Sequence, residues 1–326
     1  MEKTKQRKRG SIFQFVIEKR ALALLILILV FCLAFSLVFP DTFGTLGNFS
    51  GILLNMSAEG LIVVAIVPLL IVGEIDLSLG AVMVLGSILC GRLMILDDMN
   101  MWLAILISLG VSVLCGLING IIVAKINVVS FIATLATSMI YLGIAVMLAG
   151  TGWTDFPDPL FRTLGQGKIL NIQLPVIYII VIFIIMSLLI SRTRYFRQCY
   201  YIGGNAKAAE LSAINTGKTK IVLYMIASGM ACISGIISAM RFNSALTSIG
   251  AGVEMRAVTA AVIGGVCFTG GAGTMAGAAM GALFVACLNN ALTIASISQN
   301  MQNVITGVVL ILAIVLDVVL AKKKAE

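Results

Sequence analysis

The sequence contains no histidine, and only 11% of its 326 residues are charged. Without histidine there are no imidazole proton relays and no Ser-His-Asp triads, and zinc loses a common ligand. Seven cysteines are present, but none forms a CxxC pair and six lie inside apolar runs. We therefore expect buried thiols rather than disulfides, no metal site, and no bond-changing chemistry by this chain.

Hydrophobic residues make up 60% of the chain, and the mean hydropathy is +1.11. This composition is typical of a membrane protein. The apolar residues form long unbroken runs rather than short alternating segments, which predicts transmembrane helices and excludes a β-barrel. The sequence predicts an all-α polytopic membrane protein with about ten helices, at residues 21–39, 58–73, 79–96, 103–124, 131–149, 175–191, 221–240, 255–268, 273–295 and 303–320.

Basic residues cluster at the ends of these segments, which accounts for the net charge of +8 without nucleic-acid binding. Because basic loops stay in the cytoplasm, the charge pattern predicts orientation. With the N-terminus inside, seventeen Lys and Arg are cytoplasmic and five are external. The external five are Arg92, Arg162, Lys168, Arg241 and Arg256. Both termini are predicted to be cytoplasmic, with no cleaved signal peptide.

The predicted organisation is one transmembrane domain at residues 21–320, between basic cytoplasmic segments at 1–20 and 321–326. Two of its spans are poor candidates for simple membrane crossings. The second contains Pro68 and the eighth, at 257–268, is short and interrupted by glycine. Broken segments at membrane depth are where transporters place binding sites. The alternative is a proline-kinked helix buried by its neighbours.

The longest hydrophilic stretch, residues 192–220, ends in NTGKTK and so resembles a phosphate-binding loop. That motif requires glycine five positions before Gly217, where this chain has Ser212, so a nucleotide site is not predicted. Residues AKAAELSAI instead predict a short helix with Asn205 as its N-cap. Leu211 and Ile214 are predicted to share one face of this helix, with Lys207 and Glu210 as polar edges. Such a helix could dock a partner, or it could rest on its own bundle.

The stretch GGNAKAAELSAIN resembles the coupling loop of the permease subunits of ribose-type sugar ATP-binding cassette importers. The matching residues are Gly203, Gly204, Asn205, Ala208, Ala209, Leu211, Ser212, Ile214 and Asn215, while Ala213 replaces the usual glycine. GEIDLSLG, with Gly73, Ile75, Asp76, Leu77, Ser78 and Gly80, is similar to a second family segment. The glycine-rich stretch 261–292, with Asn289 and Asn290, is similar to a third.

This resemblance implies that the helix containing Glu210 and Leu211 couples the chain to a separate ATPase subunit. It also implies a second permease subunit, as a homodimer or heterodimer, and an extracytoplasmic solute-binding protein. The chain would lie in a bacterial inner membrane among lipids and bind no cofactor, because ATP and Mg are used by the partner ATPase. The resemblance does not determine the identity of the solute, which is a sugar or another small polar compound.

Several polar residues near the spans are candidates for the solute pathway: Asp76, Ser78, Asn119, Asn289 and Asn290. Asp76 could instead cap the third helix, because a carboxylate at a helix start accepts backbone hydrogen bonds. The amides of Asn119, Asn127, Asn289 and Asn290 suit sugar hydroxyls, but they could equally bridge helices. Gly273, Gly277 and Gly281 recur every four residues, which predicts a helix-packing stripe on the ninth span.

The external loop at 150–174 carries aromatic and proline residues, which suit either an interfacial cap or a docking surface for a binding protein. Two other functions remain as alternatives. An ion-driven secondary transporter would act without an ATPase, but the lack of histidine and the few mid-span carboxylates disfavour it. A non-transporting membrane scaffold would leave the two weak spans without a purpose.

Overall fold

The computed structural model describes residues 20–150 and 152–325. The basic residues 1–19 and the lysine side chains of the C-terminal tail lie outside the described part. The structure therefore does not bear on the predicted cytoplasmic end segments at 1–20 and 321–326.

Each of the ten predicted apolar segments falls on a helix of the described chain. These helices are α1 (Arg20–Val38), α2 (Leu46–Val72), α3 (Leu79–Ile95), α4 (Met101–Ala124), α5 (Ser130–Ala149), α7 (Leu174–Arg192), α10 (Thr216–Phe242), α11 (Val253–Ile263), α12 (Met275–Ile294) and α13 (Gln299–Ala325). The shorter helices are α6 (Pro159–Gln166), α8 (Arg194–Gly204) and α9 (Ala206–Leu211), with a 3-10 turn at Thr247–Gly250. The two-residue strands are β1 (Trp153–Thr154), β2 (Lys168–Ile169), β3 (Ile172–Gln173) and β4 (Ser244–Ala245).

Six helices of the described chain are long and apolar enough to cross a membrane: α2, α4, α5, α7, α10 and α12. Shorter apolar stretches occur in α1, α3 and α13. Leucine, isoleucine and valine side chains on the outer faces of α4, α5 and α7 are exposed, as expected for surfaces in contact with lipid. The fold is therefore that of an all-α, multi-pass membrane protein, as the sequence predicts.

Helix α2 corrects the prediction of a short and broken second span. It runs without interruption from Leu46 to Val72, with Pro68 inside it. Polar residues in its first half hid the helix from a hydropathy reading. These residues face other helices or the interior: Asn48 bonds to Asn290, and Glu59 bonds to Arg256. Burial by neighbouring helices accommodates Pro68, so the kinked-helix alternative was nearer to the structure.

The centre of the bundle is α10, which packs against α2, α3 and α4. Glycines allow the backbones to approach closely. Gly116 of α4 lies against the Tyr224 carbonyl of α10, and Gly235 of α10 lies against the Met83 carbonyl of α3. No side chain fits at either contact, so these glycines set the distance between the helices.

Two parts of the chain share one arrangement. The 27-residue helix α2 leads through residues 73–78 into α3, and the 27-residue helix α10 leads through residues 243–252 into α11. Both following helices begin inside the protein, where Gly80 lies against the Gly250 carbonyl. Irregular backbone at this depth is tolerated because it is buried in protein or lines a cavity. The eighth segment is therefore short, as predicted.

The predicted external loop folds back onto the bundle. Strand β1 pairs with β4, with Trp153 opposite Ala245, so the loop fixes the coil that follows α10. The rings of Phe156 and Phe161 stack in the interior at a centroid distance of 4.4 Å. Gly165 of α6 lies against the Met240 carbonyl. Part of the aromatic character of this loop is thus explained by packing.

Candidate functional site

The polar segment, residues 192–220, contains the predicted short helix. Asn205 is its N-cap, and the Asn205 Oδ1 atom accepts a 3.0 Å hydrogen bond from the Ala208 N–H. The expectation that Leu211 and Ile214 share one helical face is wrong. The helix ends at Leu211, Ala213 has φ +61°, and the Ile214 N–H turns back to the Ala209 carbonyl. Leu211 is 91% exposed, whereas Ile214 is half-buried.

The left-handed conformation of Ala213 explains why glycine suits this position, and it gives a first prediction. Ala213→Gly should stabilise the end of α9 by about 0.5–1 kcal/mol, because glycine adopts positive φ without steric cost. Hydrogen exchange at the Ile214 amide should slow by a factor of about 2 to 5. Faster exchange would show that Ala213 is not strained.

A shallow groove lies beside α9. It has a volume of about 420 Å³ and is open to solvent. Its lining residues come from α8, α9 and the following turn: Tyr200, Tyr201, Gly204, Asn205, Ala208, Ala209, Ser212 and Ile214. Six of the nine residues predicted for the coupling role line this groove; the other three are Gly203, Glu210 and the exposed Leu211. The groove offers apolar surface to a partner in a polar part of the chain.

The polar segment meets two distant parts of the chain at a cluster of five glycines, which we call the glycine junction: Gly73, Gly203, Gly204, Gly270 and Gly271. The Gly271 N–H donates a 2.8 Å hydrogen bond to the Ile71 carbonyl at the end of α2. Gly203 lies directly against the same carbonyl and against the Gly271 nitrogen. Gly270 and Gly271 also have positive φ angles, of 90° and 77°. The backbones touch with no side chain between them.

Two side-chain contacts reinforce the glycine junction. The Tyr200 hydroxyl donates a 2.8 Å hydrogen bond to the Gly273 carbonyl. Lys220, at the start of α10, forms an ion pair with Glu74, just after α2. The three motifs that carry the family resemblance are far apart in sequence. They meet here at one end of the bundle.

The predicted packing stripe is only partly on a helix. Gly277 of α12 lies against the Gly264 carbonyl, and Gly281 lies against the Ala260 carbonyl, so both bring α12 close to α11. Gly273 is not on the stripe, because α12 begins at Met275. Gly273 lies in the preceding loop with φ +148°, a conformation that favours glycine. Its role is to shape the loop.

Asp76, Ser78 and Asn119 form one fully buried network. The Asp76 Oδ1 atom accepts hydrogen bonds from the Ser78 N–H at 2.8 Å and from the Ser78 hydroxyl at 2.6 Å. Asn119 donates to the Ser78 Oγ atom at 2.8 Å and accepts from the Tyr141 hydroxyl at 3.1 Å. Asp76 thus stabilises the turn that precedes α3, and Asn119 bridges α4 to that turn and to α5.

A polar cavity of about 560 Å³ lies among α2, α10, α12, α13 and the coil before α11. Its polar lining residues are Asn55, Glu59, Ser238, Arg241, Ser248, Arg256, Asn289, Asn290, Thr293, Gln302, Asn303 and Thr306. The cavity lies toward the start of α2 and the ends of α10 and α12. The glycine junction lies at the other ends of α2 and α12, so cavity and junction are separated along the bundle.

Only two of the predicted pathway residues line the polar cavity, Asn289 and Asn290. Asn290 exchanges hydrogen bonds of 2.9 and 3.0 Å with Asn48 and so ties α12 to α2. Asn289 is partly exposed. Asp76, Ser78 and Asn119 are not among the lining residues. Asn127 lies in the turn after α4 with φ +61°.

Sequence reasoning missed the charged lining of the cavity. Arg256, predicted to be external, lies in α11, where its Nε donates a 2.9 Å hydrogen bond to the Glu59 Oε1 atom of α2. Arg241 donates to the Asn55 Oδ1 atom at 2.6 Å and to the Leu54 carbonyl. The available signal was Glu59 itself, an acidic residue beside an apolar run, where a charge normally has a partner.

Next to the Glu59–Arg256 pair, the cavity narrows to a gap between α2, α11 and α12. Small and apolar side chains line the gap, among them Gly60, Ala257, Ala260 and Ala282. The gap has a volume of only about 10 Å³, so it is a small void beside the cavity.

Comparison with known proteins gives several relatives. The ribose import permease protein RbsC of Haemophilus influenzae is 33% identical over 320 residues, covering 96% of this chain and 97% of the relative. The L-arabinose transport system permease protein AraH of Escherichia coli K12 is 30% identical, covering 86% and 85%. The galactose/methyl galactoside import permease protein MglC of Haemophilus influenzae is 30% identical, covering 91% and 94%. No solved structure matches the chain significantly.

These relatives confirm the predicted resemblance to ribose-type permeases, and they support a transport role rather than an enzymatic one. Residues 48–314 match the family described as the branched-chain amino acid transport system / permease component. The match begins in α2 and ends in α13, so it includes the glycine junction and the polar cavity. This chain belongs to that family of membrane permeases.

Proposed function

We propose that this chain is the permease subunit of an ATP-binding cassette importer and forms the pathway for a sugar or a similar small polar solute. The observation that carries the proposal is the glycine junction. There the polar segment, with its exposed groove, touches both α2 and the loop before α12. The same two helices line the polar cavity toward their other ends. A force applied at the groove therefore has a direct route to the cavity walls.

The cavity fits a small polar solute. Its volume of about 560 Å³ lies within the range of small-molecule sites, and amides and hydroxyls dominate its lining. Relatives at 30–33% identity are named as permeases for ribose, L-arabinose and galactose or methyl galactoside. These names favour a sugar among the polar solutes that the cavity could accept.

The orientation follows from charge. The excess of seventeen Lys and Arg over five favours a cytoplasmic polar segment and cytoplasmic termini, with ten membrane segments between the termini. The cavity then opens toward the outer side, where a solute-binding protein would deliver the solute. The bacterial relatives favour the cytoplasmic (inner) membrane as the location.

The mechanism requires no chemistry from this chain. Two cassette ATPase subunits bind ATP and Mg, and the groove beside α9 seats one of them. Closure of the ATPase pair displaces α8 and α9, and the glycine junction transmits the displacement to α2 and to the loop between α11 and α12. The bundle thereby moves between outward and inward access as a two-state element that the ATPase and the binding protein both bias. A second permease subunit, identical or homologous, completes the pathway.

Reconstitution tests the proposal. The chain is placed in proteoliposomes with its ATPase and binding-protein partners, and uptake of D-[¹⁴C]ribose, L-[¹⁴C]arabinose and D-[¹⁴C]galactose is measured. We expect uptake only when the ATPase and ATP are both present, and none from the chain alone under a proton or sodium gradient. Gradient-driven uptake without the ATPase would establish a secondary transporter instead. No uptake of any of the three sugars by the complete assembly would contradict the sugar assignment.

A further inference from the structure

Two opposite charges meet at the inner end of the polar cavity. Glu59 comes from the middle of α2, and Arg256 comes from the first turn of α11. The Arg256 Nε–Glu59 Oε1 distance is 2.9 Å, and the two side chains remain 23% and 33% exposed, respectively. Both residues line the cavity, and both also line the narrow gap beside it. The pair therefore forms part of the wall that a solute in the cavity would contact.

The pair has hydrogen-bonding capacity to spare. Arg256 Nη1 donates a 3.1 Å hydrogen bond to the Ala251 carbonyl. Among the residues that the structure describes, neither the Glu59 Oε2 atom nor the Arg256 Nη2 atom has a protein hydrogen-bond partner. A carboxylate oxygen accepts and a guanidinium nitrogen donates. The cavity wall thus presents a charged acceptor next to a charged donor.

This arrangement favours a neutral polyhydroxy solute over an ionic one. An anion is attracted by Arg256 but repelled by Glu59, and a cation meets the reverse. A pair of adjacent hydroxyls suits both groups, because one hydroxyl donates to the carboxylate and its neighbour accepts from the guanidinium. Hydrogen bonds to charged groups are stronger than neutral ones, so the spacing and handedness of the two hydroxyls matter.

The other arginine of the cavity is less available. The Arg241 guanidinium donates to Asn55 and Leu54 and lies 4.7 Å from the centroid of the Phe242 ring. Its position is fixed by these neutral partners. The Glu59–Arg256 pair is therefore the charged group of the described cavity with both a donor and an acceptor facing open space.

We infer that Glu59 and Arg256 contact the solute directly and determine which stereochemistry of adjacent hydroxyls the permease accepts. The inference rests on the proposed function and extends it to named specificity residues. The variants Glu59→Asp and Arg256→Lys keep the charge of each side chain. Glu59→Asp shortens the carboxylate side chain, and Arg256→Lys replaces the forked guanidinium with a single ammonium group. A double variant, Glu59→Arg with Arg256→Glu, keeps the ion pair between α2 and α11 but exchanges donor and acceptor.

The test uses the complete importer in proteoliposomes and the three sugars named above, with kcat and KM measured for each. Arg256→Lys should raise KM about 10-fold with a smaller change in kcat, because lysine keeps the charge but lacks the planar fork of donors that can contact Glu59 and a hydroxyl together. The double variant should change the ratio of kcat/KM for D-ribose to that for L-arabinose by about 10-fold. The binding protein is the same throughout, so its own preference cancels in the comparison with the wild type.

A matched control is available at the other end of the bundle. The exchange Glu74→Lys with Lys220→Glu also preserves an ion pair, and it should leave the ratio between sugars unchanged, whatever its effect on the overall rate. If the double variant Glu59→Arg with Arg256→Glu transports sugars with the wild-type ratio, the ion pair only links α2 to α11. The inference is then wrong. If the wild-type importer carries none of the three sugars, the sugar assignment fails, and the premise of the inference fails with it.

Discussion

Gly203→Ala is expected to abolish transport, although it adds one methyl group. A Cβ atom at Gly203 would collide with the Ile71 carbonyl and with the Gly271 nitrogen. Both are backbone atoms held by their own hydrogen bond, so neither can rotate away. Relief requires the polar segment to separate from α2, and overpacking of this kind costs about 1–3 kcal/mol or more. The separation removes the contact through which we propose that ATPase movement is transmitted.

Its control is Gly217, in the same polar segment but outside the glycine junction and the groove. A Cβ at Gly217 makes only ordinary contacts, at 3.7 Å from the Ala124 carbonyl and 3.8 Å from the Asn215 Oδ1 atom, so Gly217→Ala should leave uptake within about twofold of the wild type. Membrane content of both variants is measured alongside ATP-driven uptake and solute-stimulated ATP hydrolysis. Equal loss in both variants would mean that the segment is sensitive to any change. Full activity of Gly203→Ala would mean that the junction is not a close-packed transmission point.

Leu211→Arg should uncouple transport from ATP hydrolysis by more than about 10-fold while the chain still inserts into the membrane. Leu211 is 91% exposed beside the groove, so it contributes almost nothing to the fold of the chain itself. An arginine buried in the interface with the ATPase, by contrast, loses its hydration, and this desolvation weakens binding. Copurification of the ATPase subunit with the permease measures the loss directly.

Leu170 gives the matching control. It is also 91% exposed, but it lies between β2 and β3 in the predicted external loop. Leu170→Arg should leave the recovery of the ATPase unchanged. If Leu211→Arg retains the ATPase and full uptake, the docking assignment of the groove is wrong. If Leu170→Arg loses the ATPase, the orientation of the chain is wrong.

The apolar helices could be predicted because their driving force is local. Runs such as residues 21–39 contain enough consecutive apolar residues to specify a membrane helix without knowledge of their neighbours. The cap at Asn205 was also predictable, because one side chain and an amide three residues later suffice. These predictions depend on contacts within a few residues of each other.

The parts that could not be predicted depend on distant partners. The first half of α2 was missed because polar residues such as Asn48 and Asn55 lower its hydropathy, and only their partners on α12 and α10 make them tolerable. Arg256 was counted as an external charge, and its partner Glu59 on α2 could not be read from the sequence. Gly273 fitted a helical period, but the chain turns there because the Tyr200 hydroxyl and a positive φ fix the loop.

The brevity of α11 has a mechanical consequence. Eleven residues at about 1.5 Å each make a rod of roughly 16 Å, only three turns long. Longer helices curve over many turns, but a rod of this length tilts as a whole. A small rotation of α11 near Gly264 therefore displaces its other end, which carries Arg256. Because the helix does not bend, the whole rotation reaches that end.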